Sequence, residues 1–407
     1  MLSLYIDYKS NKTELCDIGK KFDTDKSSQR SNVTDYRHCH PYTLFYDSLF
    51  KTKKNEILNI AELGILDGGS LLMWKEYFSN SNIYGFDHDN DLINKFKNQY
   101  NNENVTLSYI NVNNKESINN AFNDINIMYD IIIEDTTHQF EDQIRVIENI
   151  YQYLKPGGVL IIEDIFKHYN ENDYINRLNP IMQQFQDFYF ISLDHTNRNS
   201  TGWDNDKLLV LTKGGAEPIF KNKNKITIIT PSYRVDNLLV VKNSINFDYV
   251  DEWIIVYDGS KISENPNIFQ NNNNNNKIKE YIFQGDGVSG NPQRNYALTK
   301  IIHPDTFIYY LDDDNIMHPD FHKLINIIDE NKFYTFNQIN RLKGNNINLG
   351  AIDTAMFLID YKLCKNISWI NEKREADGYY IMECYSQNKE NHIIIDNDLC
   401  YYNNITD

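Results

Sequence analysis

The chain has little that would cross-link or anchor a fold. Its 407 residues include only 5 cysteines and 9 prolines. The cysteines, Cys16, Cys39, Cys364, Cys384 and Cys400, are odd in number and follow no metal-type spacing. A disulfide framework is excluded in favour of a reducing compartment and buried, inert thiols. Positive charge is scarce as well: 40 Lys and Arg against 57 Asp and Glu give a formal net charge of -17. A nucleic-acid-coating protein is thereby excluded, because phosphate binding draws on clustered basic side chains. Any phosphate-bearing ligand must be held locally, by a metal or by backbone amides. No apolar run approaches the roughly 18 residues that span a bilayer, and residues 1–10 lack the charged-then-apolar pattern of a signal segment. The expectation is a soluble, cytoplasmic protein with no membrane span and no nucleic-acid partner, free to form oligomers.

What is present is enough for folded domains. Hydrophobic residues make up 41% and aromatics 13%, and the length suggests two domains rather than one core. Asparagine is frequent and peaks in the homopolymer 271–276, which reads as a solvated loop insertion. Such bias fits a genome rich in A and T and says little about chemistry.

Apolar runs and helical periods alternate in the first half: strands over 57–63, 83–86, 105–110, 129–133, 159–162 and 208–211, with helices near 70–78, 92–100 and 143–154. That is the pattern of a parallel α/β sheet. Lys155-Pro156-Gly157-Gly158 should end the last helix. A polar connector follows, Lys213-Gly214-Gly215-Ala216-Glu217-Pro218 and the basic stretch 221–225, placing a boundary between domains 1–216 and 217–407. The second half restarts with strands over 226–230 and 253–257 and a helix from Asn237. No repeat period links the halves, so two separate folds are expected.

The most distinctive feature is Phe307-Ile308-Tyr309-Tyr310-Leu311-Asp312-Asp313-Asp314, an apolar stretch ending in adjacent carboxylates. Like charges so close raise one another's pKa and require solvent, a basic partner or a divalent ion. Oxygen ligation suits Mg²⁺ or Mn²⁺. If the strand continued, Asp312 and Asp314 would project to one side and could share a metal; the alternative is a solvated turn.

In the first half, Ala61-Glu62-Leu63-Gly64-Ile65-Leu66-Asp67-Gly68-Gly69-Ser70 joins a strand to a helix, its glycines allowing close approach of a ligand. The next strand ends in Asp87, about 20 residues on, where a carboxylate can accept bonds from ribose hydroxyls. Asp135, Glu163 and Asp164 follow strands of the same sheet with His138 nearby, which reads as a divalent-metal site with a base beside it. The competing reading makes Glu163 and Asp164 caps and His138 a surface histidine.

This half resembles class I S-adenosylmethionine-dependent methyltransferases, and within them macrolide and sugar O-methyltransferases related to cephalosporin hydroxylase-like proteins. The resemblance runs over 17–211. It rests on Phe22-Asp23-Thr24-Asp25-Lys26, His40-Pro41-Tyr42-Thr43 with Tyr46, the glycine turn, Asp130-Ile131-Ile132-Ile133-Glu134-Asp135 with His138, and Lys155-Pro156-Gly157-Gly158 leading to Ile162-Glu163-Asp164. It implies that Glu62, Gly64, Asp67, Gly68, Asp87 and Asp135 surround S-adenosylmethionine. It further implies that Asp135, Glu163 and Asp164 bind Mg²⁺ and that His138 deprotonates a sugar hydroxyl. Two departures are visible: Glu134-Asp135-Thr136-Thr137 replaces an acid-acid-glycine-serine turn, and the glycines of 64–69 are loosely spaced.

Thr230-Pro231-Ser232-Tyr233-Arg234, Val256-Tyr257-Asp258-Gly259-Ser260 and Asn291-Pro292-Gln293-Arg294-Asn295-Tyr296-Ala297-Leu298, followed by Asp312-Asp313-Asp314-Asn315, resemble GT-A fold glycosyltransferases. The inverting β-glucuronyltransferase group is the nearest in motif, over 225–397. The resemblance implies Pro231, Tyr233 and Asp258 around base and ribose, and Arg294 on the nucleotide or diphosphate. Asp312 would reach ribose or the metal shell, and Asp314 would coordinate Mn²⁺ or Mg²⁺. A leaving diphosphate needs neutralising, and in so acidic a chain a metal supplies that charge. The acceptor hydroxyl needs a base. Asp377 is the first candidate and Glu375 the second, with a helix N-cap as the competing role for Asp377.

Together these readings describe a bifunctional glycan-modifying enzyme: α/β, two domains, a Rossmann-like methyltransferase followed by a nucleotide-diphospho-sugar transferase. Its partners would be a nucleotide-sugar, UDP-sugar favoured, and a glycan acceptor. One alternative makes one half a glycan- or nucleotide-binding module. Another makes the first half a nicotinamide-dependent oxidoreductase, which leaves the acid-histidine set without a role.

Overall fold

A computed structural model describes residues 1–30, 39–99, 104–196, 203–220, 224–269 and 276–405. All but the last residue of the asparagine homopolymer, and 221–223 of the basic connector, lie outside the described residues. The chain divides into two compact units, Ser3–Lys221 and Asn222–Asp407.

The first unit contains β1 (Leu2–Ile6), α1 (Glu14–Lys21), α2 (Tyr42–Phe50), β2 (Asn59–Leu63), α3 (Gly69–Tyr77), β3 (Asn82–Asp87), α4 (Asn90–Gln99), β4 (Val105–Tyr109), α5 (Lys115–Ile125), β5 (Tyr129–Glu134), α6 (Phe140–Ile150), β6 (Leu154–Ile162), α7 (Glu171–Leu178), β7 (Phe185–His195) and β8 (Lys207–Lys213). Its strands run in the order β1-β7-β8-β6-β5-β2-β3-β4. Strands β4, β3, β2, β5 and β6 are parallel, and β8 runs antiparallel to both β6 and β7. The isoleucine runs of β5 and β6 are wholly buried, as expected where helices cover both faces of a parallel sheet.

Helix α6 stops at Ile150, and a short 3-10 turn, Tyr151–Tyr153, leads straight into β6. The Lys155-Pro156-Gly157-Gly158 stretch is therefore part of β6 rather than a break before it. Register passes from Tyr129↔Leu154 to Ile131↔Val159, so the proline and glycines form a bulge, a place where a strand tolerates both.

The second unit contains β9 (Lys225–Ser232), α8 (Leu238–Ser244), β10 (Glu252–Asp258), β11 (Ile278–Phe283), α9 (Asn291–Leu298), β12 (Thr306–Tyr310), β13 (Phe333–Gln338), β14 (Phe357–Asp360), α10 (Tyr361–Cys364), α11 (Ala376–Gln387) and β15 (His392–Cys400). The order is β11-β10-β9-β12-β14-β13-β15. The first four are mutually parallel, β14 is antiparallel to both its neighbours, and β13 and β15 are parallel. Strand β12 ends at Tyr310, and Asp313 and Asp314 lie in a turn closed by the Asn315 amide on the Asp312 carbonyl at 3.1 Å. The strand alternation expected to align Asp312 with Asp314 therefore does not operate.

Both units build outward in one direction from their first parallel strand and then cross to its other side: β2 lies between β3 and β5, and β9 between β10 and β12. Each thus has a topological switch point, where the diverging crossovers leave a crevice at the carboxyl ends of the strands.

Candidate functional site

In the first unit the crevice is a cavity of about 550 Å³ between the ends of β2 and β5. Gly64 and Gly68 both have positive φ, 85° and 79°. A Cβ on Gly64 would stand 1.9 Å from the Asp135 carbonyl oxygen, and one on Gly68 would strike the Phe96 ring. These two glycines let the β2 turn close on the β5 end and on α4. Asp67 is exposed at the rim and accepts the Gly69 amide at 3.2 Å. Asp87 accepts the amides of Ile65 at 3.0 Å and Asp89 at 2.9 Å, which leaves further lone pairs on each oxygen. Glu62 lies buried behind the turn: Ser70 donates to its Oε2 at 2.9 Å, while Oε1 has no hydrogen bond. Burial pushes the Glu62 carboxyl up to about 7 against the pull of Lys26. The cavity wall also includes Tyr109 at the end of β4 and Asn111 and Asn113 after it, which sequence reasoning did not single out.

Beside the cavity stand the acids that follow β5 and β6. Asp135, His138 and Asp164 each offer a ligand atom, all within 4.8 Å of one another. His138 Nδ1 lies 3.8 Å from Asp135 and Nε2 lies 3.7 Å from Asp164. The buried Nδ1 has no hydrogen bond. His138, Asp164 and Leu66 are left-handed, with φ of 59°, 55° and 41°. Non-glycine residues held there cost about 1–3 kcal/mol each, and such strain gathers at functional sites.

Glu163 points elsewhere. Its Oε2 accepts from Lys26 Nζ at 2.5 Å and its Oε1 from the Tyr46 hydroxyl at 2.5 Å. Lys26, fully buried, also donates to Asp135 and lies 3.3 Å from Glu62. Asp164 accepts from the Tyr42 hydroxyl at 2.6 Å and has His40 Nε2 at 3.5 Å. The other His40 nitrogen meets Asp206 at 2.7 Å. Burial disfavours charge on His40, yet Asp164 and Asp206 outweigh it and raise its pKa to about 10. Burial raises Glu163 well above the usual carboxylate range, with Asp135 and Asp164 adding to it against Lys26. Burial also raises Asp164. Asp135 is lowered: burial acts upward, but Lys26 and His138 overcome it. The carboxylates of Asp135 and Asp164, with spare lone pairs, fit a hard divalent cation, and the orphaned Nδ1 of His138 leaves its imidazole with an open hydrogen-bonding position beside them.

In the second unit Pro231 and Ser232 close β9 and Tyr233 follows them, 44% exposed. Lys261 Nζ lies 3.5 Å and the Arg234 guanidinium 4.5 Å from the Tyr233 ring centre. Asp258 ends β10 and accepts from the Ser260 amide and hydroxyl at 3.0 and 2.7 Å. The three acids after β12 do different things. Asp312 accepts from Arg294 at 2.5 Å. Asp313 is buried and accepts from the Ser232 hydroxyl at 3.0 Å, the amides of Tyr233 and Arg234 at 2.9 and 2.8 Å, and the Arg234 guanidinium at 2.8 Å. Asp314 shares that guanidinium at 3.1 Å, and burial followed by Asp312 raises it to about 6. Arg294 lies over the Trp369 ring at 4.6 Å. Asp377 sits inside the first turn of α11 rather than at its N-cap. Burial raises it to about 6, within the fields of Asp353, Arg294 and Asp312. Glu375 is exposed and makes no capping bond. The described geometry thus gathers Asp312, Arg294 and Asp377 and leaves Glu375 at the surface.

Residues 68–221 match a family model described as a methyltransferase domain. The chain is 26% identical over 159 residues to demethylmacrocin O-methyltransferase of Streptomyces fradiae, covering 37% of this chain and 38% of that protein. It is 25% identical over 166 residues to mycinamicin VI 2''-O-methyltransferase of Micromonospora griseorubida, again covering 37% and 38%. The match thus spans 38% of the length of these curated relatives. Among solved structures, the MycE methyltransferase in complex with Mg, SAH and mycinamycin VI aligns at 19% identity and TM-score 0.37, over 52% of this chain and 58% of that one. The first unit, on a mixed α/β sheet, thus contains a segment that matches a methyltransferase domain, and the chain is similar to O-methyltransferases over 37% of its length.

Proposed function

We propose that the first unit transfers a methyl group from S-adenosylmethionine to a sugar hydroxyl. The observation that carries this reading is the opening of the switch-point cavity onto Asp135, His138 and Asp164. Gly64, Asp67 and Gly68 shape the cofactor pocket, Asp87 offers lone pairs to the ribose, and Glu62 supports the turn from behind. In the transfer the hydroxyl oxygen forms a bond to the methyl carbon as the carbon–sulfur bond breaks, and the hydroxyl proton goes to an imidazole nitrogen of His138. A divalent ion held by Asp135 and Asp164 would favour ionisation of that hydroxyl; Glu163, expected from the sequence as a third ligand, is turned to Lys26 and Tyr46 instead. The chain's own task is to orient the acceptor and to receive its proton.

For the second unit we propose sugar transfer from a nucleotide donor, a UDP-sugar, to a glycan acceptor. Its support is the convergence at the β9/β12 switch point of an exposed Tyr233 ring, Asp258, two arginines and the acidic turn. Tyr233 would stack the base, and Pro231 and Asp258 would border base and ribose. Arg294 would meet the diphosphate, Asp312 and Asp314 would hold Mn²⁺ or Mg²⁺, and Asp377 would take the acceptor proton. Tethering two such activities would raise the effective concentration of a shared acceptor.

Hydrogen exchange on the intact protein tests both halves. S-adenosylhomocysteine should protect residues 63–69 and 109–113, and UDP with Mn²⁺ should protect 230–234 and 312–314. Protection of 63–69 by NAD instead would favour the oxidoreductase reading. Silence in one half with every ligand would make that half a binding or structural module.

A further inference from the structure

The acids beside the cofactor cavity are held by donors that come from a single stretch of chain before α3, and that stretch lies outside the matched segment 68–221. Lys26 donates to Asp135 and Glu163. Tyr46 donates to Glu163 at 2.5 Å and Tyr42 to Asp164 at 2.6 Å. His40 approaches Asp164 at 3.5 Å. Tyr42 and Tyr46 are one helical turn apart on α2, so they share a face of the helix. They grip the two consecutive carboxylates Glu163 and Asp164. Both rings are wholly buried. Asp164 is held in this way at a left-handed backbone position, φ 55°.

We propose that Tyr42 and Tyr46 are positioning residues that set the affinity of the acid cluster for a divalent ion. The proposal rests on the ion-binding reading given above. A hydroxyl hydrogen bond to one carboxylate oxygen fixes the plane of the carboxylate and so the direction in which its free lone pairs point. Loss of such an outer partner lowers metal affinity or activity by about 10–100-fold. Neither tyrosine lies among the residues lining the cofactor cavity, so binding of an adenosyl ligand should not depend on them.

The test is titration of Mn²⁺ into full-length protein by calorimetry and electron paramagnetic resonance. An Asp314→Asn background separates the acidic turn of the second unit from the signal. In Tyr42→Phe and Tyr46→Phe the ring is retained and only the hydroxyl is lost. Each should weaken Mn²⁺ binding about 10-fold, and the double variant towards 100-fold, with S-adenosylhomocysteine affinity within about 2-fold of the parent and methyl transfer recovering at saturating ion. A merely structural role would lower the melting temperature without a defect that excess ion repairs. Parent-like Mn²⁺ affinity in both variants, with binding lost in Asp164→Asn, overturns the positioning role while leaving the ion site intact. If the parent shows no Mn²⁺ binding that Asp164→Asn removes, the ion reading falls and the positioning role with it. Should one tyrosine variant fail to fold, the other carries the same expectation by itself, since each hydroxyl holds its own carboxylate, Tyr46 that of Glu163 and Tyr42 that of Asp164.

Discussion

The two units gather carboxylates at equivalent places, the crevice beside their first parallel strand, and neutralise them differently. In the first unit Glu62, Asp135 and Glu163 share the single ammonium of Lys26, and Asp164 and Asp206 share His40. Acids outnumber cations there, and several are forced above their ordinary pKa range. In the second unit Asp312 has Arg294, and Asp313 and Asp314 share Arg234. Guanidinium stays charged under any ordinary condition and offers a planar fork suited to carboxylate and phosphate. The first arrangement leaves a surplus of negative charge that invites a hard cation. The second sets two guanidinium groups against three acids, so it offers arginines to an anionic ligand and keeps a smaller negative surplus for a cation.

The largest effect expected from this contrast is on methyl transfer. Asp164→Asn should lower it about 1,000-fold, the magnitude that follows from losing roughly 4 kcal/mol of transition-state stabilisation, while the melting temperature moves by no more than about 2–4 °C. A rate assay with labelled S-adenosylmethionine beside a melting curve checks both, and near-parental transfer would remove the ion from the reading. In the second unit the response should be the reverse. Asp313→Asn withdraws a buried charge from Arg234 and three further donors and should destabilise that unit by about 3–5 kcal/mol, seen as an earlier transition in urea. A stable Asp313→Asn protein would mean that the arginine, rather than the acid, organises the turn.

A smaller effect concerns pH. Asp377 is raised to about 6 by burial, and a general base works only when deprotonated. Sugar transfer should therefore climb with pH through about 6 and level off above it, and Asp377→Asn should abolish that limb with most of the rate. An unchanged profile in the variant would assign the proton to another group. The smallest effect is expected at Leu66, exposed and left-handed at φ 41°. Leu66→Gly should relieve backbone strain and stabilise the first unit by about 1 kcal/mol, read as a rise in its melting temperature, with adenosyl-ligand affinity within about 2-fold.

How much of this was legible in the sequence follows from the range of the interactions. The parallel strands were readable because β5 and β6 are isoleucine runs between turns, and the crevice acids because each directly follows such a run. The bulge in β6 was misread as a helix stop because proline and glycine signal both, and only the pairing with β5 distinguishes them. The acidic run after β12 left both a continued strand and a solvated turn open, and the donors Ser232, Tyr233 and Arg234, about 80 residues away in sequence, hold it as a turn bonded to the protein. Lys26, His40, Tyr42 and Tyr46 were visible as parts of motifs, but their partners are 109 to 166 residues distant, beyond any local pattern. Strand β7, whose first half is partly exposed, and the short β13 and β14 also escaped, since periodicity needs a longer run with one consistently buried face.

The origin of the donors on the acid cluster bears on how this protein could be taken apart. Sequence similarity marks out the segment 68–221, yet a graft of that segment alone would carry the carboxylates without Lys26, His40, Tyr42 and Tyr46. Recombination at that border would also cut away β2 and the turn 64–67 that lines the pocket, so it would transplant one wall and leave its tuning behind. A functional cassette would have to begin upstream of Lys26.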